Sequence, residues 1–268
     1  MAMKLREEGH PIKIVYLGHR DGTALMVHKD SEIARFRGAD AKATLDGRLR
    51  LLRGKRIAVP NRLSNQYLIL YKALAERGMR ISDVEIGEAA PPEMPMLLQT
   101  RQFDAIISGE PFMAKTEMEG FGEVVFLTKD VWPNFISCVL AVKDTTIQMR
   151  RAEVQRLVDG IARSGLWLDQ DSRVDHDRQL SHRMQAAEFA AKRYLGQDPK
   201  LLRYVLSKPP DRVKYTNLNV RRPDFEEIER WFKLSGRFEG KVGFDDYTDT
   251  SFVPEGRSLK AYDWEFKK

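Results

Sequence analysis

The sequence predicts an α/β fold in two parts, and three observations carry that prediction. From Lys55 to Val142, short apolar runs alternate with stretches of helical spacing, the pattern of strands joined by crossover helices in a mostly parallel sheet. Glycine, proline and serine stand where such elements start and stop. Past Asp144 the strand signals fade and helical periodicity dominates.

Element by element, residues 1–9 read as the end of an amphipathic helix closed by Gly9. Ile12–Leu17 and Ala24–His28 read as strands, and residues 34–50, charged and poorly periodic, read as a connecting segment. Arg56–Val59 is a strand ended by Pro60. Ser64 is placed to cap a helix running from Asn65 to Arg77 and stopping at Gly78, with Leu68, Tyr71, Leu74 and Ala75 on one face. Val84–Gly87 is a strand, Pro91 to Gln102 a helix, Phe103–Ser108 a strand, and Pro111 opens another helix that ends near Gly120 or Gly122. Val124–Leu127 and Ser137–Val142 follow as strands. Helices are expected at 148–168, 176–195, 198–206 and 222–235, with a strand-poor tail from Lys241 that wraps back over the body.

Composition narrows the function classes. The chain has 268 residues, 42% of them hydrophobic, enough for a sizeable core. No apolar run approaches the roughly 18 residues of a membrane span. The net charge of +6 is spread along the chain. Its densest clusters, Arg48 to Arg56 and Arg221-Arg222, lack interleaved aromatics, so no nucleic-acid partner is expected. Cys138 is the only cysteine, which excludes an intrachain disulfide and a cysteine-rich metal site. Its setting, Phe135 to Leu140, reads as a buried strand with a structural thiol. Of the five histidines, at 10, 19, 28, 176 and 182, only His176 and His182 are close, and their spacing is not that of a zinc helix. No GxSxG, P-loop or GxGxxG occurs. Neither a metal nor another cofactor is expected, and the chain does not read as an enzyme.

Four local patterns carry a family resemblance: Gly54-Lys55-Arg56-Ile57-Ala58-Val59-Pro60 with Ser64-Asn65-Gln66; Pro91-Pro92-Glu93-Met94; Phe103-Asp104-Ala105 with Gly109-Glu110-Pro111-Phe112; and Asp130-Val131-Trp132-Pro133. In order and placement they resemble the NitT/TauT-type solute-binding proteins of ABC importers, the nitrate, bicarbonate and sulfonate group. The segment Phe244 to Phe252 is similar to that family's C-terminal stretch. The resemblance implies a periplasmic-binding-protein-like fold of type II, two α/β lobes with a helical C-terminal part and ligand held between them. It assigns residues 1–53 to part of lobe one and a connector, 54–142 to lobe two, and 143–268 to the return to lobe one. Met1 to Thr23 aligns with the end of lobe one, so the first lobe is expected to be incomplete, with any signal peptide or lipid anchor preceding Met1. The implied role is capture of a small anionic or polar solute for ABC permease subunits, in the periplasm or at the outer face of the membrane, which the chain meets only through the permease or such an anchor. Two other roles fit the same fold: a ligand-sensing regulatory module, and an enzyme related to thiamin-pyrimidine synthesis. The latter's CCCFC motif is excluded by the lone Cys138.

Ligands of open α/β sheets bind at the carboxyl ends of strands, where helix amino termini favour negative charge. Three loops are expected there: Asp21-Gly22-Thr23, Ser64-Asn65-Gln66 and Gly109-Glu110. The family's ligand contacts fall in the same loops, and the resemblance adds Trp132. Each has a second reading. Ser64 is also an N-cap, and Asn65 and Gln66 are also ordinary first-turn residues. Glu110 either accepts from a ligand or locks its loop. Trp132 either stacks on a ligand or fills core. Arg20 either lends charge or sits in solvent. Gln66 stands where nitrate- and bicarbonate-type members have histidine, and Pro133-Asn134 where nitrate-type members have lysine, which counts against nitrate.

Overall fold

The computed structural model describes residues 2–169, 176–195 and 197–252. The tail beyond Phe252 lies outside them. Two units can be distinguished: Met1–Arg20 with Phe135–Lys268, and Asp21–Asn134. These limits depart from the expected boundaries at 53 and 142. Residues 21–53 join the second unit and residues 135–142 leave it, for reasons that lie in the strand pairing.

The elements follow the sequence closely. Helix α1 (Ala2–Glu7) ends before Gly9, whose φ of +89° suits glycine. Strands β1 (Ile12–Asp21) and β2 (Thr23–His28) are separated by Gly22 alone. Segment 34–50, expected as a connector, contains part of α2 (Glu32–Arg35) and all of α3 (Ala41–Arg50). Its helix was illegible because no apolar stripe marks it. Asp40 caps it through Ala43 N at 2.7 Å. A Cβ at Gly47 would come within 2.1 Å of the Phe36 ring, so only glycine lets that ring close on the helix. Buried Arg48 donates to Ala34 O, Val124 O and Glu123 Oε1. Polar anchoring thus adds to the burial of Leu49, which alone makes no stripe.

Next come β3 (Arg56–Val59), α4 (Asn65–Ala75), β4 (Glu85–Glu88), α5 (Met94–Gln99), β5 (Ala105–Gly109), α6 (Phe112–Met118), β6 (Gly122–Leu127) and α7 (Thr128–Val131). Helix α5 is shorter than expected because Pro91 to Glu93 form a turn ahead of it. The sheet of this unit has the order β4-β3-β5-β2-β6. Strand β3 pairs parallel with β4 and β5, whereas β2 pairs antiparallel with both β5 and β6. The sheet is therefore mixed, a correction to the mostly parallel expectation. Strand β2 inserts from ahead of the regular strand-helix alternation, which gives no sign of it. Both faces of β2 are buried, and Ala24 and Met26 join Ala58, Met94, Leu98, Ile106 and Met113 in the core under α5 and α6.

In the other unit, β7 (Ile136–Lys143) pairs antiparallel with β1 in a three-stranded sheet completed by β8 (Val213–Lys214), in the order β7-β1-β8. Strand β7 is thus an edge strand. Cys138 on it is exposed, not a core thiol as expected. Surrounding protein nonetheless desolvates the thiol enough to raise its pKa, the opposite of an activated nucleophile. Helices α8 (Asp144–Met149), α9 (Arg151–Leu168), α10 (His176–Ala190), α11 (Pro199–Ser207), α12 (Arg222–Leu234) and α13 (Phe244–Tyr247) supply the helical part. Buried Arg183 knits it by donating to Leu206 O, Val213 O and Asp169. His182 stacks on Trp167 at 4.3 Å between ring centroids, in a structural position. Arg20 is neither solvated nor offering a loose charge: it is 2% exposed and donates to Asn217 O and Asp224 Oδ2, both at 2.7 Å.

Helix α1 is tied to the C-terminal segment by one carboxylate. Glu7 accepts from Lys241 N at 2.8 Å, Glu239 N at 3.3 Å and Lys4 Nζ at 2.9 Å. Burial alone would raise its pKa, but these donors outweigh it and hold the carboxyl at about 2. A depressed carboxylate contributes stability above its unfolded pKa of about 4.3 that is lost as pH falls toward the folded value. Glu7→Gln should therefore cost about 1–2 kcal/mol at pH 7. In thermal melts, the gap between variant and wild type should close as pH falls from about 4 to 2.

Candidate functional site

The strand directions decide which residues of the Asp21–Asn134 unit meet at one edge. Strands β3 and β5 are parallel, and β6, antiparallel to β2 as β5 is, runs with them. Their carboxyl ends share an edge with the amino end of the reversed β2. Val59, Gly109, Leu127 and Thr23 are the strand residues there. Helix α4 begins at the same edge and turns the positive end of its dipole toward it.

Five of the expected residues converge. Gln66 Nε2 donates to Thr23 Oγ1 at 3.2 Å. Glu110 N donates to Gly22 O at 2.9 Å. Thr23 pairs with Gly109 in the β2–β5 ladder. A Cβ added at Gly109 would have as its nearest neighbours Gly22 O at 3.8 Å and Gln66 Nε2 at 3.9 Å, so Gly109 faces the space between them. Gly22 and Thr23 are buried, while Gln66, Gly109 and Glu110 are half-buried, so the group forms the floor and rim of an accessible edge.

The Asp21-Gly22-Thr23 segment differs from the loop expected after Leu17. Strand β1 continues to Asp21, leaving one residue between strands. Asp21 and Gly22 adopt φ of 59° and 81°, left-handed values that glycine tolerates freely and aspartate better than most. Asp21 is itself buried at this junction.

Both readings of Ser64 bear on its geometry. Its Oγ accepts from Tyr67 N at 3.2 Å, capping α4, and donates to Asn61 O at 2.6 Å. The hydroxyl proton is thereby committed to the turn. Asn65 and Gln66 lie half-buried in the first turn of α4. Glu110 locks its loop: Oε2 accepts from Ala114 N at 2.8 Å across the start of α6. Trp132 is 6% exposed, with Lys72 Nζ 5.2 Å from its ring centroid. Lys72 lies six residues beyond Gln66, about 9 Å along the helix axis, so this face of Trp132 meets a side chain from the last turn of α4. Among the described residues, no three His, Cys, Asp or Glu side chains gather to hold a metal ion.

Sequence reasoning missed Thr128. It directly follows β6, is 1% exposed, and bonds the Thr23 backbone twice: Oγ1 accepts from Thr23 N at 3.1 Å and donates to Thr23 O at 2.9 Å. A strand end followed by Thr-x-Asp was the available signal, since Asp130 Oδ2 accepts from Leu127 N at 2.8 Å in the same turn.

The profile of the NMT1-like family matches residues 1–184. The chain belongs to the NMT1-like family. The resemblance to the NitT/TauT-type group is borne out. No curated protein matches this NMT1-like chain. Among solved structures, it is similar to the ligand-binding component of an ABC-type import system from Staphylococcus aureus with zinc bound: 22% identity, TM-score 0.75, covering 96% of this chain and 78% of that one. It is similar to the periplasmic nitrate-binding protein NrtA from Synechocystis PCC 6803: 13% identity, TM-score 0.74, covering 91% and 67%. It is also similar to the desulfurization enzyme DszB: 16% identity, TM-score 0.60, covering 94% and 81%. At these identities the likeness is one of fold, and it agrees with the expected periplasmic-binding-protein-like α/β architecture.

Ser64→Ala should cost about 1 kcal/mol of stability through the lost cap. Gln66→Ala, which removes the hydrogen bond to the buried Thr23 hydroxyl, should cost about 0.5–1.5 kcal/mol. Parallel urea titrations of the two variants check both values.

Proposed function

We propose that this chain is the solute-binding component of an ABC importer. It captures a small anionic or polar solute at the strand-end edge of the Asp21–Asn134 unit and hands it to permease subunits outside the cytoplasmic membrane. It binds without making or breaking covalent bonds. The observation that carries the reading is the meeting of Gly22, Thr23, Gln66, Gly109 and Glu110 at that edge, beside the amino terminus of α4. Backbone and amide groups of this kind, under a helix dipole, suit a ligand recognised by hydrogen bonds. Membership of the NMT1-like family, and the import components among proteins of similar fold, support transport over catalysis.

A thermal-shift screen of nitrate, bicarbonate, taurine, alkyl sulfonates and pyrimidine precursors tests the role. A saturating ligand at a hundred times its Kd stabilises by about 2.7 kcal/mol, so a binder gives a rise of several degrees. The solute should be recovered chemically unchanged after prolonged incubation, and conversion would instead favour an enzyme, a fold-level possibility given DszB.

Two variants locate the site by calorimetry. Removing the side chains of Asn65 and Gln66 together should weaken binding of the screened solute at least about tenfold, a loss of about 1.4 kcal/mol, with the fold intact. Gly109→Ala should melt like the wild type, because its Cβ meets only ordinary van der Waals distances. It should nevertheless bind more weakly, since that methyl intrudes between Gly22 O and Gln66. Full affinity in both variants would move the site elsewhere.

A further inference from the structure

We infer that Thr128 is a positioning residue of this edge, acting through Thr23 on Gln66, an inference that rests on the solute-binding reading above for its purpose. The β2–β6 ladder reaches its last pair at Ala24 and Leu127. The next pair in register would be Thr23 with Thr128, but Thr128 begins α7 and its backbone leaves the sheet. A hydrogen-bonded antiparallel pair exchanges two bonds, an N–H given each way. The Thr128 hydroxyl makes both alone, accepting from Thr23 N at 3.1 Å and donating to Thr23 O at 2.9 Å.

That one side chain extends the order of β2 by a residue, to the point where the strand meets the site. On its far flank Thr23 stands opposite Gly109 of β5 in register, and the strand is tied there by the neighbouring bond from Glu110 N to Gly22 O at 2.9 Å. Held on both flanks, Thr23 presents Oγ1 to Gln66 Nε2 at 3.2 Å. A planar amide with its nitrogen engaged turns its carbonyl oxygen away from that partner. The chain Thr128–Thr23–Gln66 therefore fixes how the half-buried Gln66 amide faces the edge. Both threonines are almost wholly buried, at 1% and 2% exposure, so water cannot readily take over a lost bond.

The test is made by NMR on the full chain without solute. Gln66 side-chain amide signals are identified by their loss in Gln66→Ala. In Thr128→Val those signals should shift, and exchange of the Thr23 backbone amide should speed up about tenfold, the size of one lost hydrogen bond. Thr128→Ser keeps the hydroxyl and should restore both within about twofold. Thr23→Val cuts only the second link: Gln66 signals should shift while the Thr23 amide stays protected. Where Thr128→Val does not fold, Thr128→Ala removes the same hydroxyl with less bulk. Unchanged Gln66 signals in either the Thr128 or the Thr23 variant overturn the inference, as does a serine variant as perturbed as the valine one. Because no solute is present, these outcomes are independent of whether the screen above finds a binder.

Discussion

Much of the molecule follows from where β2 lies. It enters the five-stranded sheet between β5 and β6 and runs against its neighbours. A central strand buried on both faces must be apolar on both, and Ala24, Leu25, Met26 and Val27 are each 0% exposed. Its reversed direction brings its first residue to the edge where its neighbours end. A strand running the other way would have left Thr23 at the far side of the sheet, with no approach to Gln66 or Gly109.

The polar bonding at that edge is a consequence. A strand that begins beside the carboxyl ends of others meets their departing loops, whose amides and hydroxyls need partners once the ladder stops. Glu110 N finds Gly22 O, Thr128 finds both polar groups of the Thr23 backbone, and Gln66 finds the Thr23 hydroxyl. The side chains that terminate helices and strands are here the same ones that shape the candidate site. Capping and binding are thus two uses of one set of groups: Ser64 and Glu110 satisfy backbone amides of α4 and α6 while standing at its border.

The unit that includes the C-terminal helices uses polar anchoring of another kind. Arg183 reaches carbonyls in the last turn of α11 and in β8, and Arg20 joins β1 to Asn217 and Asp224. Burial works against the ionised Asp224, yet hydrogen bonds from Arg221 and Arg20 keep its carboxyl below the usual range. Buried arginines of this sort bind several elements at once because the guanidinium offers five donors in a fixed fork.

Local chemistry was legible from the chain alone. Ser64 before an apolar helix, Gly78 after it, proline at the starts of α5 and α6, and the short apolar strands were read with ends off by a few residues, because caps, breakers and periodicity act over a turn or two. The family motifs named the loops that meet at the edge. Three things needed the tertiary structure. The reversal of β2 depends on pairing between residues roughly eighty to a hundred positions apart, which periodicity does not encode. Helix α3 is held by Asp40, Gly47, Arg48 and the single buried Leu49 rather than by an apolar stripe, so its pattern looked like a connector. Thr128 and Cys138 took their places from neighbours in space: one hydroxyl fills a gap where a ladder ends, and one thiol stands on a part of strand β7 that its neighbours leave exposed. Short-range propensity sets the elements, whereas long-range pairing sets which of their ends face one another.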